Sequence, residues 1–346
     1  MERENHLEPG SVLISVPPLR RRATGAPLII GAKRTPTLSA SLATPASLAA
    51  PAIPNLRAKL PIQVFSALLI LAILNGCTID FKRSSEQIEA TLKDRTVRYK
   101  TIHFQDYAID ALSVGPADSQ PVLFIHGSPG TWDNYLEVIP HLSEPLMIFY
   151  DRPGFGKTTP AVSLPDLKAQ SEAALAVLDQ FSSQKALVVG HSYGGPIALQ
   201  IALDYPERTA AVLLLAASVD PELEELRWYN HLTSALAFII PGELVRSNDE
   251  MIPLKKQLVD QRRSLQEKQS FPPVYVMHGT DDSLVPVENV NYVYDQISPK
   301  ANLRCLKVIE SEDHFIPWTN PELLSDFIRQ ALQGRCSVSP ADSRPR

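Results

Sequence analysis

Ala186-Leu187-Val188-Val189, a short apolar run, passes directly into Gly190-His191-Ser192-Tyr193-Gly194 and then into the small-residue run from Pro196 to Leu203. That order reads as a strand, a sharp turn and a helix. A serine at the tip of such a turn sits on cramped backbone, and glycines two positions either side let strand and helix pass closely. Its hydroxyl is raised at a helix N-terminus, where free N–H groups and the positive dipole end favour negative charge developing on oxygen.

The flanking pattern alternates in the same way. Pro145 to Tyr150 is a near-continuous apolar strand of the kind buried on both faces. Leu164, Leu167, Ala174, Leu175, Leu178 and Phe181 recur at helical spacing on the segment leading to the serine strand. Ala210 to Leu215, Val274 to Gly279 and Leu306 to Ile309 are further strands, and Glu322 to Leu332 is a terminal amphipathic helix. Thr96 to Phe104 and Tyr107 to Val114 read as an antiparallel pair turning at Gln105-Asp106. With Pro121 to Ile125 added, the expected fold is α/β, a doubly wound, mostly parallel eight-stranded sheet in a single domain.

A serine nucleophile needs a base, and the base needs an orienting acid. Both stand downstream on loops after strands: Asp281 and Asp282 follow Gly279, and His314 follows Ile309. Upstream, Pro121 to Ile125 ends in His126-Gly127-Ser128-Pro129-Gly130, a glycine-rich turn suited to aiming a backbone N–H at the serine's reaction partner.

In these motifs, from about Thr96 to Leu332, the chain resembles the α/β-hydrolase fold superfamily, in its short-cap, esterase-like branch. His126-Gly127-Ser128-Pro129-Gly130 is similar to the family's H-G-x-x-G oxyanion loop, and Asp151-Arg152-Pro153-Gly154-Phe155-Gly156 to its D-x-P-G-x-G turn. The stretch from Gly279 through Asp282 to Val285-Pro286 is similar to its acid loop. The resemblance implies Ser192 as nucleophile, His314 as general base and then acid, and Asp282 as the acid that orients the imidazole. Ser128 and Tyr193 would offer backbone N–H groups to the oxyanion. Asp282 is preferred to Asp281 because the family's spacing puts the acid three residues after Gly279, which leaves Asp281 as a loop cap. Asp313 stands where the family usually has glycine, and either acts on the histidine or faces solvent.

Plainer roles are expected for the neighbours. His126 and His278 end strands beside glycine and should hydrogen-bond backbone. His191 points away from Ser192 on an extended strand end. Asp151 and Arg152 staple their turn, and Trp318 packs in the core.

Between Ser218 and Pro272 the alternation breaks, and the resemblance puts a small helical cap at 219–272. Trp228, Tyr229, Leu232, Leu236, Phe238, Ile239 and Ile240 would present an apolar underside to the site or pack onto the core. A lid of that composition suggests a small-molecule substrate with an uncharged acyl or alkyl group. Lys255 to Lys268 is strongly charged and reads as a solvated helix face.

The N-terminal portion is compositionally separate. From Pro9 to Ile79 there is no acidic residue, and the first sixty residues hold eight basic and three acidic side chains against a whole-chain net charge of −5. Such a segment does not share the core. Ile62 to Leu74 has the length of a signal-peptide apolar region, follows Arg57 and Lys59, and ends at Leu74-Asn75-Gly76-Cys77. This resembles a bacterial lipobox, with Cys77 lipidated as the first mature residue and Thr78 permitting sorting to an outer membrane. The expected organisation is a disordered or untranslated extension over 1–55, a signal peptide over 56–77, a linker over 78–94, the catalytic domain over 95–333 and a disordered tail over 334–346. The alternative for the leader is an organelle transit peptide with the apolar run as an anchor; the single short signal is preferred. The protein is then expected as a membrane-anchored lipoprotein on the periplasmic face of the cell envelope.

Of the other two cysteines, Cys305 and Cys336, a disulfide is open to an oxidising compartment, but a buried inert thiol and a free tail thiol are preferred. No metal, cofactor or nucleic-acid surface is expected, and the mature charge is acidic. The leading function is a carboxylesterase-like or lipase-like serine hydrolase working through an acyl-enzyme. The alternatives are a cofactor-free haloperoxidase or carbon–carbon bond hydrolase on the same triad, and, last, a non-enzymatic binding protein.

Overall fold

The computed structural model describes residues 83–226, 228–301 and 305–336. The leader, the apolar run with Cys77, the side chains of Trp228 and Tyr229, and residues 337–346 lie outside the described residues.

Eight strands form one sheet: β1 (Val97–Phe104), β2 (Tyr107–Val114), β3 (Pro121–Ile125), β4 (Leu146–Tyr150), β5 (Ala186–His191), β6 (Thr209–Leu215), β7 (Val274–Gly279) and β8 (Cys305–Ile309). Their spatial order is β1-β2-β4-β3-β5-β6-β7-β8. The pairs β1·β2 and β2·β4 are antiparallel, and every pair from β4·β3 to β7·β8 is parallel. The expected doubly wound, mostly parallel eight-stranded sheet is therefore the fold. Alternation along each strand divides the core into two layers: Leu146, Ile148 and Tyr150 of β4 face one, Met147 and Phe149 the other.

Helices α1 (Ser85–Leu92), α2 (Leu167–Phe181) and α3 (Gly194–Asp204) accompany the sheet. α2 starts where the Asp166 side chain accepts from the Ala169 N–H at 2.8 Å. It packs Leu167, Ala174 and Leu178 into the same layer as α3. Between β6 and β7 lie α4 (Trp228–Ala235) and α5 (Gly242–Glu267). Asn248 of α5 bonds the Asn230 carbonyl and the Ser234 hydroxyl, tying the two helices by polar contacts. α5 buries Leu254, Leu258, Gln261 and Leu265 on one stripe and exposes Lys255 and Lys256, the solvated face expected. Phe238 and Ile239, expected either beneath the cap or in the core, are 83% and 57% exposed. The last helix, α6 (Pro321–Leu332), closes the second core layer with Leu324, Phe327 and Ile328.

Two expectations change. Part of the expected linker is α1, closed by a capping box between Ser84 and Gln87, with Leu92 in the core and the Arg83 N–H on Asp133 at 2.8 Å. The free-thiol reading of the cysteines is also overturned, because Cys305 and Cys336 form a disulfide across a Cα separation of 5.2 Å. α6 packs back over the sheet, so the residues after it return to the start of β8, within bridging range.

Candidate active site

The carboxyl ends of β3, β5, β7 and β8 lie along one edge of the sheet, and each carries a residue singled out from the sequence. After β5 the chain turns at Ser192 with φ of +54°, a left-handed conformation that a side chain rarely adopts. Ser192 N–H bonds the Leu215 carbonyl at 3.0 Å, and Ser192 O accepts from Gly195 N–H at 2.9 Å. The two glycines are steric necessities: a Cβ at Gly190 would meet the Gly194 carbonyl, and one at Gly194 would meet that of Ile125. α3 begins immediately after Tyr193, whose N–H has no partner among the described residues.

The acid and the imidazole are joined. His314 Nδ1 lies 2.7 Å from Asp282 Oδ2, and because a carboxylate only accepts, Nδ1 carries the proton and Nε2 is the basic nitrogen. Oδ1 of Asp282 accepts from the N–H groups of Leu284 and Val285 at 2.9 and 2.8 Å. On the other side of the same carboxylate stands His278, with Nε2 at 3.3 Å from Oδ2 and 2.9 Å from the Val285 carbonyl. Burial alone would raise the Asp282 carboxyl, but the hydrogen bonds from His278 and His314 hold it well below the usual carboxylate range. Asp281 is exposed and donates its N–H to the Glu312 carbonyl at 2.9 Å, while Asp313 is exposed and caps the Phe315 N–H at 2.8 Å. Asp282 is thus the carboxylate that meets the histidine, and Asp313 faces solvent.

His191 Nε2 lies 3.0 Å from the His314 carbonyl, and the two rings are 4.7 Å apart. Burial, with the neighbouring His314 ring, pushes His191 down to about 3, so it is neutral and donates from Nε2. It fixes the backbone of the loop that carries His314, and Trp318 packs edge-on against it. Among the described residues Ser192 Oγ makes no hydrogen bond to His314 Nε2; in unliganded sites this contact is commonly long and tightens around substrate.

The glycine-rich turn from His126 to Gly130 follows β3. A Cβ built on Gly127 would lie 2.9 Å from Ser192 Cβ, so this turn abuts the serine. His126 Nδ1 donates to the Gly127 carbonyl at 2.8 Å, and its Nε2 accepts from the Arg152 N–H at 2.9 Å. Asp151 staples its turn as expected, accepting from Trp132 and Lys157 N–H groups at 2.9 and 2.8 Å. Arg152 does more than that: buried completely, it reaches Glu250 of α5. Sequence reasoning missed Glu250 and the second histidine on Asp282. The available signal for Glu250 was its place four residues before Leu254 on the buried stripe of α5, where an apolar residue belongs. Among the described residues no cluster of three His, Cys, Asp or Glu could hold a metal ion.

A family model described as "alpha/beta hydrolase fold" matches residues 120–233. The dihydrolipoyllysine-residue acetyltransferase component of the acetoin cleaving system of Pseudomonas putida is 36% identical over 106 residues, 30% of this chain and 29% of that one. The chain thus spans under a third of that relative. The 2-hydroxymuconate semialdehyde hydrolase of Pseudomonas sp. (strain CF600) is 28% identical over 62% of this chain and 79% of its own. Among solved structures, wild-type Cfl2 from Burkholderia cenocepacia superposes with a TM-score of 0.56 at 16% identity, over 68% of this chain and 95% of that one. The fold is that of the alpha/beta hydrolases.

Proposed function

We propose that this alpha/beta-hydrolase-fold chain is a serine hydrolase that cleaves esters through Ser192, His314 and Asp282. The observation that carries the reading is the 2.7 Å contact of His314 Nδ1 with a buried, ionised Asp282, which leaves Nε2 free as a base at the edge of the sheet where Ser192 is raised on its strained turn. In this mechanism His314 Nε2 takes the Ser192 proton as Oγ attacks the carbonyl carbon. The tetrahedral oxyanion accepts hydrogen bonds from the N–H groups of Ser128 and Tyr193. His314 then gives the proton to the departing alcohol, and an acyl-enzyme on Ser192 remains. Water, deprotonated by His314, attacks that acyl group and releases the acid. Leu232, Phe238 and Ile239, apolar and exposed on the inserted segment, support an uncharged acyl or alkyl group as substrate.

A fluorophosphonate probe and a panel of nitrophenyl esters test this. Wild type is expected to be labelled and to turn over, and Ser192→Ala to lose both. Equal labelling in that variant would remove the mechanism. The 28% identity to a carbon–carbon bond hydrolase supports a second reading on the same triad. Cleavage of a 2-hydroxymuconate semialdehyde with no ester turnover would favour it.

The proposed setting is the cell envelope, with Cys77 lipidated and the mature chain starting there. The Cys305–Cys336 disulfide supports an oxidising compartment. Among the described residues no helix is long and apolar enough to cross a membrane. Mass spectrometry of the N-terminus is expected to find a diacylated or triacylated Cys77; an unmodified Cys77 in a host that processes other lipoproteins would rule the anchor out.

A further inference from the structure

Glu250 is a carboxylate with no exposed surface, on a helix inserted between β6 and β7, and it is far in sequence from everything it touches. Oε1 accepts from Arg152 Nη1 and from Gln170 Nε2, both at 2.7 Å. Oε2 accepts from Arg152 Nη2 at 3.1 Å and from Ser128 Oγ at 2.5 Å. Burying both members of an ion pair is costly, and hydrophobic residues of similar volume hold a core as well or better. A core-packing role therefore does not account for this pair.

The rest of the guanidinium gives the account. Arg152 Nε donates to the His126 carbonyl at 3.0 Å, and Nη2 to the Gly127 carbonyl at 2.9 Å. The Gly127 carbonyl is thus gripped from one side by Arg152 and the His126 ring. In a trans peptide the C=O and the following N–H point in opposite directions. The grip therefore turns the Ser128 N–H away from Arg152, and that N–H has no partner among the described residues. The guanidinium also lies 5.0 Å from the centre of the Tyr193 ring, the residue that supplies the other oxyanion N–H.

We propose that Arg152 and Glu250 are positioning residues for the oxyanion hole: Glu250 anchors the arginine, the arginine fixes the Gly127–Ser128 peptide, and the hole is complete only while α5 is seated. This rests on the reading of Ser192 as an ester-cleaving nucleophile. The dependence is electrostatic as well as steric. If α5 lifts, Arg152 loses its counter-charge, Ser128 Oγ loses its acceptor, and the peptide between them is free to rotate.

The test separates positioning from stability. The double variant Arg152→Met/Glu250→Leu removes both charges at once and leaves neither partner unpaired. It is expected to unfold in urea at a midpoint near that of wild type, with kcat on nitrophenyl acetate lower by about 10²-fold and KM within about twofold, the pattern of a lost oxyanion donor. Fluorophosphonate labelling of Ser192 should slow in parallel. A double variant with wild-type kcat would overturn the proposal. Should the double variant fail to fold, Glu250→Gln keeps shape and a carbonyl acceptor: a fall in kcat of about tenfold at unchanged KM is expected, and an unchanged kcat overturns the proposal. Wild type without Ser192-dependent ester cleavage is a different outcome. It would remove the functional reading, and this inference with it.

Discussion

The two halves of the candidate site are held by different means. The acid and the histidine sit on two loops that zip to each other: Thr280 N–H bonds Ile309 O, Asp281 N–H bonds Glu312 O, and Ser311 N–H bonds Thr280 Oγ1, each at 2.9 Å. Asp282 is satisfied within its own turn and by the two histidines. The Gly127–Ser128 turn is instead held by groups from two distant elements, Arg152 after β4 and Glu250 on α5, and Gln170 of α2 braces Glu250 in turn. One half is a largely local construction of two neighbouring loops, braced from β5 by His191 on the His314 carbonyl. The other is a tertiary construction and inherits the behaviour of the helix that completes it.

The largest expected effect breaks the local half. Asp282→Asn leaves the fold but costs the imidazole its orientation, on the order of 10³–10⁴ in turnover. Asp281→Asn, on an exposed side chain next door, should stay close to wild type in the same ester assay. Equal losses in the two variants would mean that the loop as a whole, rather than one carboxylate, orients His314.

A smaller effect concerns the covalent tie behind the local half. The Cys305–Cys336 bridge closes a sequence separation of 31, which is worth about 3–4 kcal/mol of unfolding free energy by chain entropy. Urea titrations with and without dithiothreitol should differ by that order. Turnover of the folded fraction should hold, since the bridge touches no reacting group. No change in midpoint would show that the tail contributes nothing to the frame.

Smaller again is the pH dependence of the buried histidines. His191 titrates at about 3 in the folded chain, against about 6.5 in an unfolded one. The unfolded chain takes up a proton in that window that the folded chain refuses. Stability is therefore complete above about pH 6.5 and falls below it by about 1.4 kcal/mol per pH unit for each such group. His126, depressed by burial and by Arg152, has the same sign and sits in the tertiary half. Urea midpoints between pH 7.5 and pH 5 should fall more steeply in wild type than in His191→Asn. Parallel slopes would remove His191 as a contributor.

The same contrast governs what was legible in the sequence. Strands and helices were readable because β4 and the Ala186–Val189 part of β5 are unbroken apolar runs and α2 carries a 3.6-residue stripe. Ser192 and Asp282 were readable because each lies a fixed short distance from a strand end and a glycine, and His314 because it follows the last strand in the expected chain order, without a glycine beside it. Glu250 was not, since its meaning depends on Arg152, 98 residues away, and a lone glutamate in a charged helix reads as surface. α1 was hidden because its mean hydropathy is near neutral, and its start is fixed by the Ser84–Gln87 capping box rather than by apolar periodicity. The disulfide depended on where α6 returns the chain, which spacing alone does not reveal.

Helices inserted between β6 and β7 look like an exchangeable module, the part of such a chain that can be replaced to change what it accepts. The buried carboxylate of Glu250 limits that freedom. A transplanted insert without an acid at the matching turn would strand Arg152 as an uncompensated buried cation, and the recipient would lose both solubility and rate before any new substrate was tried. Recombination at this site is therefore a two-point problem: the donor segment must bring its own acid, or the host must give up its arginine in the same step.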